Sequence, residues 1–351
     1  MKKVYLFIVP LVIVLMVGVS FSVNTATAAD ETINLKFAHW APPAHPITKF
    51  VLLPWTKDVE KRTNGRVKIA VYGGGSLGSA PDHYDLALKG TADITFIGPQ
   101  FTPGVFPLTD VMNLPMLFPS SEIAGSGFWE LYEKYLKDTE FGKVKVLWGI
   151  PTSTFELTTR QKPVYKLEDL KGLKLASVSP VSNKIIKQLG GVPVFMPAPE
   201  VYTSVERGLV DGVFYGWDSI TAFGISAITK YRTDNIHLGI NFAMMIMNKK
   251  TWNNLPPDIQ KIIEDMTGAK LTRNSGKVFD KANINARAKI VAHDKKVNNP
   301  PIYLLSNAER ERWTKAVLPI YTSWAEKMEK KGLPGKAVLK DMNAWVEKYS
   351  K

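Results

Sequence analysis

Cysteine is absent from the 351-residue chain. That excludes disulfides, thiolate metal centres and cysteine nucleophiles, and it excludes a lipid-anchored lipoprotein, which needs a cysteine after its leader. A second long apolar run is missing too. The opening "MKKVYLFIVPLVIVLMVGVSFSVNTATAAD" holds one from Val4 to Val17, and no later stretch approaches the length that crosses a bilayer. HExxH and EF-hand spacings do not occur. His39 and His45 straddle a proline-rich loop rather than lying one helical turn apart, so no metal site is expected.

What is present at the start has the form of an export signal. Lys2 and Lys3 precede the apolar core, and Ala26-Thr27-Ala28 supplies the small residues of a cleavage site. Residues 1–28 are therefore expected to be removed as a signal peptide, leaving a soluble periplasmic protein. About 320 residues remain, enough for one large domain or two ordinary ones without covalent staples. The formal charge is +13, or about +11 once Lys2 and Lys3 leave with the signal. The lysines are spread through stretches such as "EKMEKKGLPGKAVLKD", a solvated basic surface rather than a nucleic-acid footprint.

From Leu35 onward, strand and helix patterns alternate. "INLKFAHW", "RVKIAVY" and "ADITFIG" read as strands, and "HPITKFVLLPWTKDVEKRTNG" reads as a helix closed by Gly65. This rhythm implies an α/β fold with mainly parallel sheets. The unit "HYDLALKGTADITFIG" returns as "VYTSVERGLVDGVFYG", 118 residues later and without a gap. Gly90 matches Gly208, Asp93 matches Asp211 and Gly98 matches Gly216, which suggests two similar lobes. Pro256-Pro257 opens a long amphipathic helix running to about Val297, and Ser306 with Glu309 reads as a capping box for the next.

"VYGGGSLGSA" at 71–80 fits two catalytic templates. Gly73, Gly75 and Gly78 match a dinucleotide loop, while Gly74, Ser76 and Gly78 match a hydrolase elbow. Both need a helix to start inside or directly after the motif, whereas Ser79, Pro81 and Asp82 place the start at about 80–81. A turn at the mouth of a cleft is the expectation, and no cofactor is expected. The alternative is an exported serine hydrolase using Ser76 with one of His39, His45, His83, His237 or His293 as base.

Several segments together carry a family resemblance. They are "FAHWAPPAHPITKFVLLPWTKDVEKRTNGRVKIAVYGGGSLG", "LALKGTADITFIGPQFTPGVFPL", "PVYKLEDLKGLKLA", "GGVPVFMPAPEVYTSVERGLVDGVFYGWDSI" and "MNKKTWNNLPPDIQKIIED". Over about Leu35 to Met266, the chain resembles the dicarboxylate-receptor (DctP) type of solute-binding subunit from tripartite ATP-independent periplasmic (TRAP) transporters. The resemblance implies a periplasmic-binding-protein-like fold of two α/β lobes, joined by hinge strands and spanned by a long helix. It implies that a small organic solute is trapped between the lobes and delivered, chemically unaltered, to TRAP membrane subunits; a receptor serving a sensor protein would look the same. A monomer is expected. Lobe I is assigned to 30–154 plus 243–282, and lobe II to 155–242 plus 283–351.

The family's usual anchor is an arginine closing "GLK-I-R", which clamps the substrate carboxylate bidentately. This chain reads "GLKLASVSP", with Ala176 in that place, and Phe155 is followed by Glu156 where a second basic residue sometimes occurs. Arg160 lies nearby in sequence. Either another donor has taken over or the solute is not a typical acid.

Ligands of open α/β lobes collect beyond the carboxyl ends of parallel strands. That rule nominates Trp40, Gln100 and Phe101 from one lobe and Tyr215, Trp217 and Asp218 from the other. Phe155, Glu156 and Ser177 enter as matches to family pocket positions, and Phe242 as a pocket or hinge residue. Aromatic faces with one carboxylate suit a cationic or amino-alcohol solute, or an aromatic one by stacking. Each candidate has a plainer alternative: Trp217 as a core or hinge residue, Asp218 as a helix cap, Phe101 and Tyr215 as inter-lobe filling, Glu156 at the surface.

Overall fold

The computed structural model describes Met1, residues 32–41, residue 43, residues 47–196 and residues 200–351. The signal-peptide assignment and His45 lie outside the described residues. In chain order the strands are β1 (Ile33–Ala38), β2 (Val67–Tyr72), β3 (Ile94–Ile97), β4 (Val144–Pro151), β5 (Glu156–Thr159), β6 (Lys174–Ser177), β7 (Val192–Phe195), β8 (Gly212–Tyr215), β9 (Tyr231–Asp234), β10 (Phe242–Asn248) and β11 (Tyr303–Leu304). The helices are α1 (Leu53–Arg62), α2 (His83–Lys89), α3 (Ser121–Leu131), α4 (Pro180–Gln188), α5 (Val201–Glu206), α6 (Trp217–Ala222), α7 (Lys249–Asn254), α8 (Pro257–Asp265), α9 (Gly268–Lys296), α10 (Asn307–Lys330) and α11 (Gly335–Ser350).

The strands form two sheets, ordered β2-β1-β3-β10-β4 and β11-β9-β5-β8-β6-β7. Parallel pairing holds for β1 with β2 and β3, and for β6 with β7 and β8. Each sheet also contains one strand that runs against its neighbours: β10 between β3 and β4, and β5 between β8 and β9. These strands follow the first two of the three places where the chain leaves one sheet for the other, β4 to β5 and β9 to β10; the third passage, β10 to β11, runs through α9. Having crossed, the chain enters the new sheet in the reverse direction, which is why mainly parallel pairing is only part of the description.

The internal repeat is atomic. Gly90 and Gly208 close α2 and α5 with φ of 70° and 72°, a left-handed conformation that favours glycine. In the first unit the Asp93 carboxylate accepts from the Lys36 backbone N at 2.8 Å, and the Asp93 N–H donates to the Lys36 carbonyl at 2.9 Å. In the second, Asp211 accepts from Lys174 N at 2.8 Å, and its own N–H donates to the Lys174 carbonyl. Each aspartate thus pins the start of its strand to the neighbouring parallel strand.

The amphipathic pattern after Pro257 is broken in two. Met266 and Thr267 separate α8 from α9, which opens on Gly268 at φ 73°. The 29 residues of α9 span about 43 Å and fasten to both sheets. Toward the first, Asp280 accepts from the backbone N atoms of Ser121 and Glu122 at 2.9 and 3.0 Å, and Thr272 Oγ1 accepts from Gly149 N at 2.9 Å. Gly276 allows the helix to touch α3, since a Cβ there would come within 2.3 Å of the Ser121 carbonyl oxygen. Toward the second, Asp294 takes two hydrogen bonds of 3.0 Å from Arg232 on β9, and that pair is almost fully enclosed. Ser306 caps α10 as expected, but Glu309 reaches Leu167 N and Arg312 instead of closing the box.

Arg232 spends its remaining donors on Thr158, Thr229 and the Ser226 carbonyl. Arg232→Met, which strands the Asp294 charge, should cost about 3–5 kcal/mol in urea unfolding, and Arg232→Met with Asp294→Leu should recover most of that loss.

Candidate functional site

A cavity opens between the sheets beyond the carboxyl ends of β6 and β8. About 490 Å³ lies free of protein atoms there, a figure that includes open solvent. Five segments build its wall: the end of the turn Thr109–Asn113, Phe155 at the first crossing, residues 238–241 at the second, β6 running into α4, and the end of β8 at Phe214 and Tyr215. Glu140 positions the first of these, accepting from Leu108 N at 2.5 Å, Thr109 N at 3.1 Å and Thr109 Oγ1 at 2.6 Å. The crossings hold each other: Phe155 N donates to the Gly239 carbonyl, Leu238 N to the Phe155 carbonyl and Thr152 N to the Asn241 carbonyl, at 2.8–3.0 Å.

Phe155 and Tyr215, among the expected residues, line this cavity, their rings 6.2 Å apart and edge to face. Ala176 lines it too, so a methyl group faces the space the family's arginine would enter. Arg160 does not replace that arginine. It stands beside Gly208, five residues and roughly 16 Å along the strand from Phe155. The lining residues include no charged side chain. Their polar groups are Asn113, Ser179, Ser182, Tyr215 and Asn241.

The other expected residues lie elsewhere. Trp40 stacks on Phe96 at 5.0 Å and meets Phe101 edge-on at 5.3 Å, with Gln100 alongside in the loop after β3. This patch is half-buried and belongs to the first sheet. Trp217 is enclosed in the core of the second sheet; its indole N–H donates to Asp234 at 3.1 Å and its backbone N–H to Asn283 Oδ1 at 2.7 Å. The plainer alternative, a tethering core residue, describes it. Phe242 is fully buried 4.4 Å from Phe128 and packs the core.

Glu156 is buried rather than at the surface, and its carboxylate accepts from Ile236 N at 2.7 Å and His237 N at 3.2 Å. Burial, with the Asp234 charge adding to it, holds Glu156 well above the usual carboxylate range. Ser177 donates to the Ser179 carbonyl at 3.1 Å and bridges to Ser182 Oγ at 2.5 Å, bracing the cavity wall from behind. Asp218 is the second residue of α6, buried beside Ser153 and Gly216 in the crossing region. Desolvation raises it to about 6, opposed by the Ser153 hydroxyl and the Ser219 N–H.

Sequence reasoning missed Asn113, Val178, Ser179, Val181, Ser182, Ile185, Leu238 and Asn241. The strand-end rule could have found those after β6, since "SVSPVSN" follows that strand directly. Asn113 carried no such signal. Buried polar atoms without a partner include Asn113 Nδ2, Tyr215 OH and Asp218 Oδ1, each a cost of about 1–3 kcal/mol unless something bonds to it.

Ser76 is exposed, and no histidine hydrogen-bonds to it among the described residues. His39 packs against Gly73, His83 donates to the Gly78 carbonyl at 3.2 Å, and His293 is exposed on α9. The glycine-rich stretch is a turn supported by these rings, and nothing supports the hydrolase alternative.

Residues 37–328 match the family described as "Bacterial extracellular solute-binding protein, family 7" (DctP), and the chain belongs to that family. It is similar to a TRAP solute-binding protein from Rhodoferax ferrireducens in complex with copurified benzoate, at 27% identity and TM-score 0.84 over 91% of this chain and 99% of that one. A TRAP periplasmic solute-binding protein from Desulfovibrio salexigens is 32% identical, with TM-score 0.81 over 90% and 96% of the two chains. It is an open complex with the C-terminus of a symmetry mate in its ligand-binding site. A marine metagenome TRAP protein specific for aromatic acids, bound to 3-hydroxybenzoate, is 25% identical, with TM-score 0.84 over 92% and 100%. The chain is thus a TRAP solute receptor of two-lobe α/β fold, not an enzyme. Among the described residues, no helix is long and apolar enough to cross a membrane.

A raised carboxyl pKa means that the folded state holds its proton where the unfolded chain has lost it. The stability cost of Asp218 is therefore absent below about pH 4 and complete above about pH 6. Asp218→Asn should gain up to about 3 kcal/mol at pH 7 and nothing at pH 3.5; parallel urea titrations of variant and parent at the two pH values check this.

Proposed function

We propose that this receptor captures a small aromatic solute, foremost an aromatic acid, and passes it unchanged to TRAP membrane subunits. The observation that carries the reading is the cavity wall, in which Phe155, Phe214 and Tyr215 stand with aliphatic neighbours and neutral polar groups but no cationic side chain. Such a wall holds a ring by area and stacking, each aromatic contact contributing about 0.5–1.5 kcal/mol beyond burial. The benzoate and 3-hydroxybenzoate complexes of similar proteins support the same class. A cationic or amino-alcohol solute is less well served, because Asp218 and Trp217, which would have recognised it, are committed in the crossing region and the core.

The lobes that close on the solute are 30–154 with 243–282, and 155–242 with 283–351. Their sheets support this division, and the protein acts as a monomer in the periplasm after loss of residues 1–28. Closure is movement about the paired crossings at 152–155 and 238–241, which already hydrogen-bond to each other.

A thermal-shift panel tests the solute class. Benzoate or 3-hydroxybenzoate at a hundredfold excess over Kd should raise the melting temperature by about 5 °C or more, since binding only the folded form adds about 2.7 kcal/mol. Succinate and choline should leave it unchanged. Stabilisation by choline alone would overturn the aromatic reading, and Phe155→Ala should weaken benzoate binding at least tenfold.

A further inference from the structure

An aromatic acid brings a carboxylate into a cavity whose expected arginine is an alanine. Two neutral donors that line the cavity have nothing to bond. Asn113 is 7% exposed and Tyr215 is 4% exposed; both line the cavity, and Asn113 Nδ2 and Tyr215 OH lack hydrogen-bond partners. Asn113 comes from the first sheet's side, at the end of the turn held by Glu140. Tyr215 ends β8 of the second sheet. The two donors therefore approach the cavity from opposite sides.

The N-terminus of α4 completes the arrangement. Ser179, Val181 and Ser182 from its first turn line the cavity, so the positive end of the helix dipole is directed there. Its serines are already committed: Ser179 Oγ accepts from Ser182 N at 3.1 Å, and Ser182 Oγ donates to the Ser179 carbonyl at 2.8 Å. The helix end supplies a favourable potential, while Asn113 and Tyr215 supply the free hydrogens.

We infer that Asn113 Nδ2 and Tyr215 OH, facing the first turn of α4, form an uncharged cradle that takes the solute carboxylate in place of the family's arginine. The inference rests on the aromatic-acid reading and adds the groups that recognise the acid. Because one donor comes from each side, the carboxylate bridges the lobes and favours their closure. Benzyl alcohol, with the same ring but no carboxylate, gains little from the cradle.

Isothermal titration with benzoate and benzyl alcohol tests it, with melting curves confirming that each variant folds. Tyr215→Phe removes one oxygen and keeps the ring; it should weaken benzoate at least tenfold and benzyl alcohol less than threefold. Asn113→Leu should do the same, and Asn113→Asp should abolish benzoate binding by placing like charges together. Unchanged benzoate affinity in folded Tyr215→Phe and Asn113→Leu overturns the cradle. A parent protein that binds benzyl alcohol but not benzoate also overturns it while leaving an aromatic receptor standing; failure of every aromatic compound removes the aromatic reading as well.

Discussion

Two short lengths of backbone that run side by side between the sheets set the geometry of the whole molecule. Residues 152–155 and 238–241 hydrogen-bond to one another, and Thr152 Oγ1 adds a bond from Asn241 N at 2.8 Å. Because each crossing delivers a strand into the opposite sheet in reverse, both sheets are locked to the same pair of segments. The cavity lies against them, so whatever moves one sheet relative to the other changes the space available to a solute. α9 limits that movement through Asp280 on one side and the buried Arg232–Asp294 pair on the other.

The distribution of charge follows the same division. Carboxylates that are buried, Glu156, Asp218 and Asp294, are not among the cavity's lining residues and serve the backbone, the crossing region or a structural arginine. The cavity itself is lined by neutral groups. A guanidinium clamp offers strong, bidentate hydrogen bonds but demands an acid and discriminates little among rings. An apolar wall with two neutral donors shifts the weight of recognition toward the ring, with the acid end selected by hydrogen bonding rather than by counter-charge. That is the physical sense of Ala176 in a family known for an arginine at that place.

Much of the framework was legible because it is local. Gly90 and Gly208 close their own helices, so the turns could be matched from the sequence, whereas the Asp93 and Asp211 partners, Lys36 and Lys174, lie 57 and 37 residues away. The site was less legible. Tyr215 lines the cavity, yet Trp217, chosen by the same strand-end rule, is a core residue, because a strand-end position does not say which way a large side chain turns. Asn113 was missed since its place depends on Glu140, a residue thirty-one or more positions from the backbone atoms it holds.

The amino-acid order alone determined the α/β rhythm, the duplicated unit and the lack of thiol chemistry, since each is a property of neighbours or of composition; the resemblance to the family added the expectation that Ala176 stands where an arginine is usual. Only the tertiary structure decided that the second copy of the unit, and no residue of the first, lines the cavity, that Arg160 stands too far along its strand to serve, and that Asn113 and Tyr215 both line that cavity. Those outcomes depend on long-range pairing and on which buried donors are left without partners, and no local pattern encodes either.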